Sequence, residues 1–468
     1  MRILQVIHDY LPRHRAGSEV YTHLLSRALI ARGNDVTVLY AERDLGRLEY
    51  STRRLVLDGV PLVEVVWNDG AATFSETYEN PRMEALFSKL LDEIRPDVVH
   101  LQHLEHFSIG LPAVARRRGI PVVFTLHEYC LTCPRKGLRM MADLSLCHEI
   151  DPMKCAVCIE RQSVSPPTVR ARLESFAKRA IPARARRFVR KRLASVGLAR
   201  HPDRPAEAPA GRPVDRAPHA LAIERRLEAV LAMTRGVDLF IAPSPFLRRK
   251  FVEFGVDEDR ILESDYGTDL APFAGFSRAP SDRLRFGYVG TLVEHKGVHV
   301  LVEAMNGLPE GSAELLVHGE PSYFPEYAAR VRALARHPGT RFMGPFDNGR
   351  IADILRDLDV LVVPSLWFEN SPLTIHEAFA SKTPVIATDL GGMKDLVVPE
   401  RNGLLFERGS AEALRRAMRR LVDEPDLVGK LRAGIPALKS MDRDAEDMEE
   451  RYRRLLSRAK ERAAAPAR

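Results

Sequence analysis

Two glutamates eight residues apart, Glu369 and Glu377, flank the turn Asn370-Ser371-Pro372-Leu373, just beyond the apolar run Val360 to Val363. Asn370 or Ser371 is suited to cap a helix, and Pro372 to stand in its first turn. A helix that starts at the mouth of a buried strand points free backbone N–H groups outward, which favours an anion and a diphosphate above all. Glu369 falls before this helix and Glu377 about a turn and a half inside it, so both reach one ligand. Carboxylates do not suit a phosphate, but each accepts from two adjacent hydroxyls, and a ribose or a sugar offers such pairs. The bland alternative is an ordinary capped helix with solvated acids. Upstream, Gly287-Tyr-Val-Gly290-Thr291-Leu-Val-Glu-His-Lys296-Gly297 reads as a strand ending in glycine, followed by a cation. Gly290 lets backbone approach a phosphate, and Lys296 neutralises it.

The second constellation is sulfur. All five cysteines, Cys130, Cys133, Cys147, Cys155 and Cys158, lie within 29 positions of a 468-residue chain. The opening MRILQVIHDY is a strand pattern rather than a secretory leader, so the expected compartment is the cytoplasm, where thiols stay reduced. Two Cys-x-x-Cys pairs enclosing Cys147 then suggest a four-ligand metal knuckle, with His127 and His148 nearby. Free buried thiols are the alternative. His100, His103 and His106 also lie close together, but hydrogen-bonded loop histidines are the commoner case.

These residues need a scaffold. Ile3 to Ile7, a helical pattern over 18–32 and Asp35 to Tyr40 form a strand–helix–strand unit. The rhythm returns at Val98 to Leu101, Val122 to Leu126 and Val237 to Ala242. A second series runs through Leu284 to Val289, Glu314 to His318, Val360 to Val363 and Pro384 to Ala387. Both are open parallel sheets of α/β class, which bind ligands beyond the carboxyl ends of their strands. Gly17, His100, His103 and His127 fall just past such ends. The expected organisation is a first domain over 1–266, carrying a cysteine-rich insert (128–160) and a basic Pro/Ala/Arg-rich insert (161–220). A second domain over 267–440 and a closing charged helix and tail over 441–468 follow, with a hinge at Gly267-Thr-Asp269. The net charge of +7 is local: residues 161–216 hold 15 Lys/Arg against 4 Asp/Glu. The rest of the chain is therefore near −4, which argues against a uniformly nucleic-acid-binding surface. No run of 18 apolar residues suggests a membrane-spanning helix.

The Glu369/Glu377 pair, GTLVEHKG at 290–297, VPSLWFENSPLTIHEAFASKTPVIATDLGG at 363–392 and the opening HDYLPRHRAGSEVYTHLLSRAL together resemble the retaining glycosyltransferases of family GT4. The resemblance implies a GT-B architecture, two Rossmann-like domains facing across a cleft, with the last helix crossing back to the first. By similarity Glu377 holds the donor ribose, and Glu369 with the backbone of Asn370, Ser371, Pro372 and Leu373 holds the donor sugar. Lys296, with Gly290 and Thr291 beside it, meets the diphosphate. Gly17 borders the phosphate, and His127 sits over the reacting sugar as the catalytic histidine. The pattern of relatives favours Cys133, Cys147, Cys155 and Cys158 as ligands of a structural zinc, with Cys130 spare and an iron–sulfur cluster as runner-up. No catalytic metal is expected, since no Asp-x-Asp motif is placed for one.

Two departures stand out: Thr291 where many relatives carry Arg, and Ala16-Gly17 where a glycine pair is usual. The expected reaction is sugar transfer, with retention, from a nucleoside-diphosphate sugar to a lipid-linked or cell-surface polysaccharide acceptor. The basic insert would lie on anionic lipid, a peripheral contact at the inner membrane face. The alternatives are an epimerase or phosphorylase of the same fold and, least favoured, a zinc- and nucleic-acid-binding module; no nucleic-acid partner is expected.

Overall fold

The computed structural model describes residues 1–68, 71, 73–160 and 217–464. Most of the basic insert, and with it the expected membrane contact, lies outside the described residues.

Two parallel sheets organise the chain. The first contains β1 (Arg2–Ile7), β2 (Asp35–Glu42), β3 (Thr52–Leu57), β4 (Val60–Val66), β5 (Val98–Leu101), β6 (Val122–Thr125), β7 (Leu239–Ala242) and β8 (Ile261–Glu263). Their order is β3-β4-β2-β1-β5-β6-β7-β8. Only β3 and β4 pair antiparallel. They are joined by Asp58-Gly59, both at positive φ, as a two-residue hairpin turn requires. The second sheet contains β9 (Leu284–Val289), β10 (Ala313–His318), β11 (Thr340–Gly344), β12 (Val360–Val363), β13 (Val385–Thr388) and β14 (Gly403–Phe406). Its order is β11-β10-β9-β12-β13-β14.

The central strands read as unbroken apolar runs because helices cover both faces. Val98 to Leu101, Val122 to Thr125 and Val360 to Val363 are buried at every position. Strands β3, β4, β11 and β14 were not expected, and of these β3 and β11 escape that pattern. Thr52–Leu57 is a largely exposed edge with Arg53 and Arg54 facing out.

Strand order reverses at β1/β5 in the first sheet and at β9/β12 in the second, and ligand crevices open at such points. The loops leaving β1, β5 and β6 carry Gly17, His103 and His127. Those leaving β9 and β12 carry Lys296 and Glu369.

The chain crosses between the sheets twice, side by side. Thr268 N–H donates to Lys439 O at 2.9 Å, and Met441 N–H donates to Thr268 O at 2.9 Å. A Cβ on Gly267 would lie 2.8 Å from the Met441 Cα, so the two crossings touch. The helix Met441–Ala464 then packs Met441, Ala445, Met448 and Tyr452 against Ile3, Tyr21, Leu25 and Val98 of the first sheet's layer. Two of its acids tie down the same face: the Tyr21 hydroxyl donates to Asp444 at 2.8 Å, and Asn34 Nδ2 to Glu449 at 2.9 Å.

Candidate active site

One cleft of about 630 Å³ lies between the sheets. Its walls bring together Gly17, His127, Gly290, Thr291, Lys296, Glu369, Asn370, Ser371, Pro372, Leu373 and Glu377. Every residue expected to touch the donor faces this one space.

The helix Leu373–Ala380 starts at the mouth of β12. Its N-cap is Pro372 itself, which makes no side-chain cap, so the expectation that Asn370 or Ser371 caps the helix is corrected. The amides of its first turn have no partner within the helix, and Leu373 and Thr374 border the cleft. The helix Gly17–Ala31 begins directly opposite, also with no side-chain cap. A Cβ on Gly17 would sit 3.6 Å from Leu373 Cδ1. Two helix N-termini therefore meet across the cleft, each with the positive end of its dipole turned inward.

Asn370 and Ser371 are taken up in joining the domains. Asn370 Nδ2 donates to the carbonyls of Leu126 and His127, each at 3.2 Å, and its Oδ1 accepts from Ser244 at 3.1 Å. Ser371 donates to Asp265 at 2.8 Å and accepts from His376 Nε2, also at 2.8 Å. The sequence shows these residues as cap formers; only their spatial neighbours show them as a clasp.

Glu369 is buried. Its Oε1 accepts from Lys296 Nζ and from Ser365 Oγ, both at 2.6 Å. Burial pushes this carboxyl up, but the Lys296 charge and these hydrogen bonds outweigh it and hold Glu369 below the usual range. Lys296 Nζ also lies 5.1 Å from the centre of the Trp367 ring, a cation–π contact that the sequence did not reveal. Below them Gly391 and Gly392 let a neighbouring turn press on the backbone of Glu369 and Asn370, with Gly392 N–H donating to Glu369 O at 2.8 Å. Gly297, at φ 70°, crosses so near Pro364 that a Cβ would lie 2.0 Å from its carbonyl oxygen.

Glu377 differs. Burial alone pushes its carboxyl up to about 8, and it makes no hydrogen bond or ion pair among the described residues. A carboxyl without partners, beside two helix N-termini, is a receptor for hydroxyl donors.

His127 has both nitrogens engaged: Nδ1 with the Tyr266 hydroxyl and Nε2 with Gln102 Oε1, each at 2.7 Å. Burial, with His103 and His100 nearby, lowers its basicity well below normal. The ring is neutral and fixed, and it stacks on Tyr266 with centroids 5.4 Å apart. His295, a candidate to stand in for the Arg missing at Thr291, is brought down to about 4 by burial and by Lys296. It carries no charge at neutral pH and does not border the cleft. Arg15 does, reaching over from the first domain to Asp347 at 2.7 Å.

The cysteines divide in two. Cys155 is pushed up to about 12 by burial, then by Cys147, Cys133 and Cys158 around it. Cys130 is raised by burial and then by Glu128 and Glu105, and it borders the cleft instead. All five are free thiols. Cys155 and Cys158 sit on the helix Pro152–Glu160, so this Cys-x-x-Cys is one helical face rather than a knuckle loop. The insert is tied down at several points: Arg226 donates to Leu131 O at 3.1 Å, and Arg139 to His148 O at 2.7 Å. Arg408 of the second sheet's layer donates to Leu144 O, and His148 meets Phe368, next to Glu369, with ring centres 5.5 Å apart.

Of the other histidines, His100 is buried between Tyr452 and Thr125, at 2.6 and 2.7 Å. It is structural.

Two α/β domains of this topology, facing across a cleft lined from both sides, define the GT-B fold. Solved structures agree. Sucrose-phosphate synthase from Thermosynechococcus elongatus matches with a TM-score of 0.65 at 19% identity, covering 97% of this chain and 99% of that one. Anabaena HepE in complex with UDP and glucose matches with a TM-score of 0.61 at 14% identity, covering 97% and 100%. Residues 274–435 match the family model "Glycosyl transferases group 1", and residues 15–146 match "Glycosyltransferase Family 4". Successive stretches of the chain thus match two glycosyltransferase family models, one on each side of the cleft. Among curated relatives, a D-inositol 3-phosphate glycosyltransferase of Xylanimonas cellulosilytica is 32% identical over 204 residues, 39% of this chain and 48% of that protein. The putative teichuronic acid biosynthesis glycosyltransferase TuaC of Bacillus subtilis is 29% identical over 177 residues, 37% and 43% respectively. The chain thus spans about half the length of the curated relatives it matches.

Proposed function

We propose that the chain transfers a sugar, with retention, from a nucleoside-diphosphate sugar to a lipid-linked or polysaccharide acceptor. The observation that carries this reading is the unpartnered carboxyl of Glu377 beside two opposed helix N-termini. A ribose supplies the hydroxyls Glu377 lacks, and the diphosphate lies between the helix ends. Negative charge grows on the leaving phosphate as the sugar departs, and amides already in place stabilise it without reorganisation. Lys296 adds its charge.

Glu369, kept anionic, takes hydroxyls of the sugar. His127, whose nitrogens are both committed, forms the wall over that sugar and moves no proton. Glu369, the carboxylate assigned to the sugar, is held by Lys296 and Ser365 rather than free as a nucleophile. This favours attack from the face the phosphate leaves. The names of relatives acting in inositol phosphate and teichuronic acid glycosylation support an extended polyol or glycan acceptor.

The test is thermal stabilisation by a panel of UDP-, GDP- and ADP-sugars. One nucleotide class should raise the melting temperature by several degrees at saturating concentration. Glu377→Ala should abolish that shift while melting normally on its own. No stabilisation by any of them would overturn the proposal.

Cys155 feels the charge of Cys147, Cys133 and Cys158, and Cys130 faces the cleft instead; closing the four sulfurs onto one ion would draw them closer than they now stand. We assign them one zinc, which would hold the insert closed and supply no chemistry to the reaction. Mass-spectrometric analysis of fresh protein should find about one zinc per chain. Cys147→Ser should lower the zinc content, the melting temperature and the activity together. Metal-free protein of normal stability would refute the assignment, and a brown preparation absorbing near ~400 nm would replace zinc by an iron–sulfur cluster.

A further inference from the structure

The cleft wall opposite Glu369 carries a second arrangement that the donor does not use. Glu128 follows His127 at the end of β6. One of its carboxylate oxygens accepts from His103 Nε2 at 2.9 Å, and the other from the Cys130 amide at 2.5 Å. Gly137, at φ 71°, crosses directly over it; a Cβ there would lie 1.7 Å from Glu128 Oε2. The cysteine-rich insert therefore closes around this carboxylate and fixes its orientation. The side chain remains 23% exposed, and the cleft is where that exposed part opens.

His8, Glu105 and Cys130 lie near enough to His103 and Glu128 to suggest a cation site. The tautomer of His103 argues against it. Its Nδ1 accepts the Glu105 amide at 3.0 Å, so the ring proton is on Nε2, the atom a metal would need bare.

What this wall offers is lone pairs. Glu19, Glu105 and Glu128 border it. Burial pushes Glu105 up, but His103, His106 and Lys136 outweigh that and hold it anionic. Its two cations are already paired, Arg15 with Asp347 at 2.7 Å and Lys136 with Glu105 at 3.6 Å. A phosphate here would meet carboxylates; a hydroxyl would meet acceptors.

We propose that Glu128 binds the hydroxyl-bearing end of the acceptor, and that this end is an uncharged sugar or polyol rather than a phosphorylated one. This rests on the glycosyltransferase reading and narrows it. His103, Cys130 and Gly137 act through Glu128 as positioning residues.

The test uses the full chain saturated with the stabilising nucleoside diphosphate. Saturation-transfer NMR is recorded with methyl α-glucoside, methyl β-galactoside and myo-inositol, and with glucose 6-phosphate and inositol 1-phosphate. At least one neutral compound should bind saturably, at least ten-fold more tightly than either phosphorylated one. Glu128→Gln should weaken that binding at least ten-fold while holding the affinity for the nucleotide within two-fold. Glu128→Asp, which keeps the charge but withdraws it, should fall between, and it serves if the glutamine variant melts early. Equal or tighter binding of a sugar phosphate, no binding by any neutral compound, or unaltered binding in Glu128→Gln would each overturn the proposal. Failure of the wild type to bind any nucleoside diphosphate would instead count against the glycosyltransferase reading.

Discussion

Lys296→Met should cost the protein both its activity and part of its stability. The ammonium is the only countercharge within hydrogen-bond reach of Glu369 among the described residues, at 2.6 Å from Oε1. Removing one partner of a buried ion pair typically costs about 3–5 kcal/mol, because the other charge is left uncompensated. Lys296 is 27% exposed against 9% for Glu369, so water softens the loss and about 2–3 kcal/mol is expected. Glu369 would then take up a proton and lose its capacity to accept from two sugar hydroxyls. With the charge on the diphosphate lost as well, turnover should fall about 10²–10³-fold. Lys296→Met/Glu369→Gln separates the two effects. It should regain most of the stability, since no lone buried charge remains, and none of the activity. Melting curves and turnover on the four proteins form the cycle. A single variant that melts normally would show that the pair contributes nothing to the fold.

Gly392→Ala should be the most damaging single methyl in the second domain. The added Cβ would lie 1.4 Å from the carbonyl oxygen of Asn370 and 2.5 Å from its carbon. That obstacle is main chain and cannot turn aside. Overpacking usually costs about 1–3 kcal/mol, and a backbone collision belongs at or above the top of that range. The displaced segment holds Glu369 and the Asn370 clasp, so nucleotide affinity should drop with stability. Gly429→Ala is the control. Gly429 lies exposed in the helix Pro425–Ala433 with nothing within 4 Å of a new Cβ, and alanine should stabilise that helix by up to about 1 kcal/mol. Equal melting of the two variants would contradict the packing described around Glu369.

The contrast shows what the sequence carried and what it did not. Buried parallel strands are legible because both faces are covered, so Val360 to Val363 announces itself without alternation. The loops that follow β9 and β12 put Lys296, Glu369 and Glu377 in one cleft, and residue type with strand position was enough to foresee it. Thr52–Leu57 was missed because an exposed edge has no such run, although Asp58-Gly59 was a usable hairpin signal. The uses of Asn370, Ser371, Gly392 and Glu128 were hidden for another reason. Each is defined by a partner tens to hundreds of residues away, and local propensity is silent about that. The family pattern singled out four thiols; Cys155 feels the charge of the other three, while Cys130 borders the cleft.

Glu377 offers the most direct measurement. With its carboxyl raised to about 8 by burial, it is mostly protonated at pH 7 in the free protein. Because the folded value lies above the unfolded one, the contribution of this proton to stability is complete below about pH 4.5 and is lost as pH rises through about 8. Two ribose hydroxyls favour the ionised form, so nucleotide binding should expel the proton. Isothermal titration of the stabilising nucleoside diphosphate at pH 7, in phosphate and in Tris, reads this as a difference in heat proportional to the buffers' ionisation enthalpies. The expected result is release of close to one proton by the wild type, none by Glu377→Gln, and at least ten-fold weaker binding in that variant. Equal affinity and equal proton release in the two proteins would mean that the nucleotide does not sit on Glu377, and the proposed donor site would be wrong.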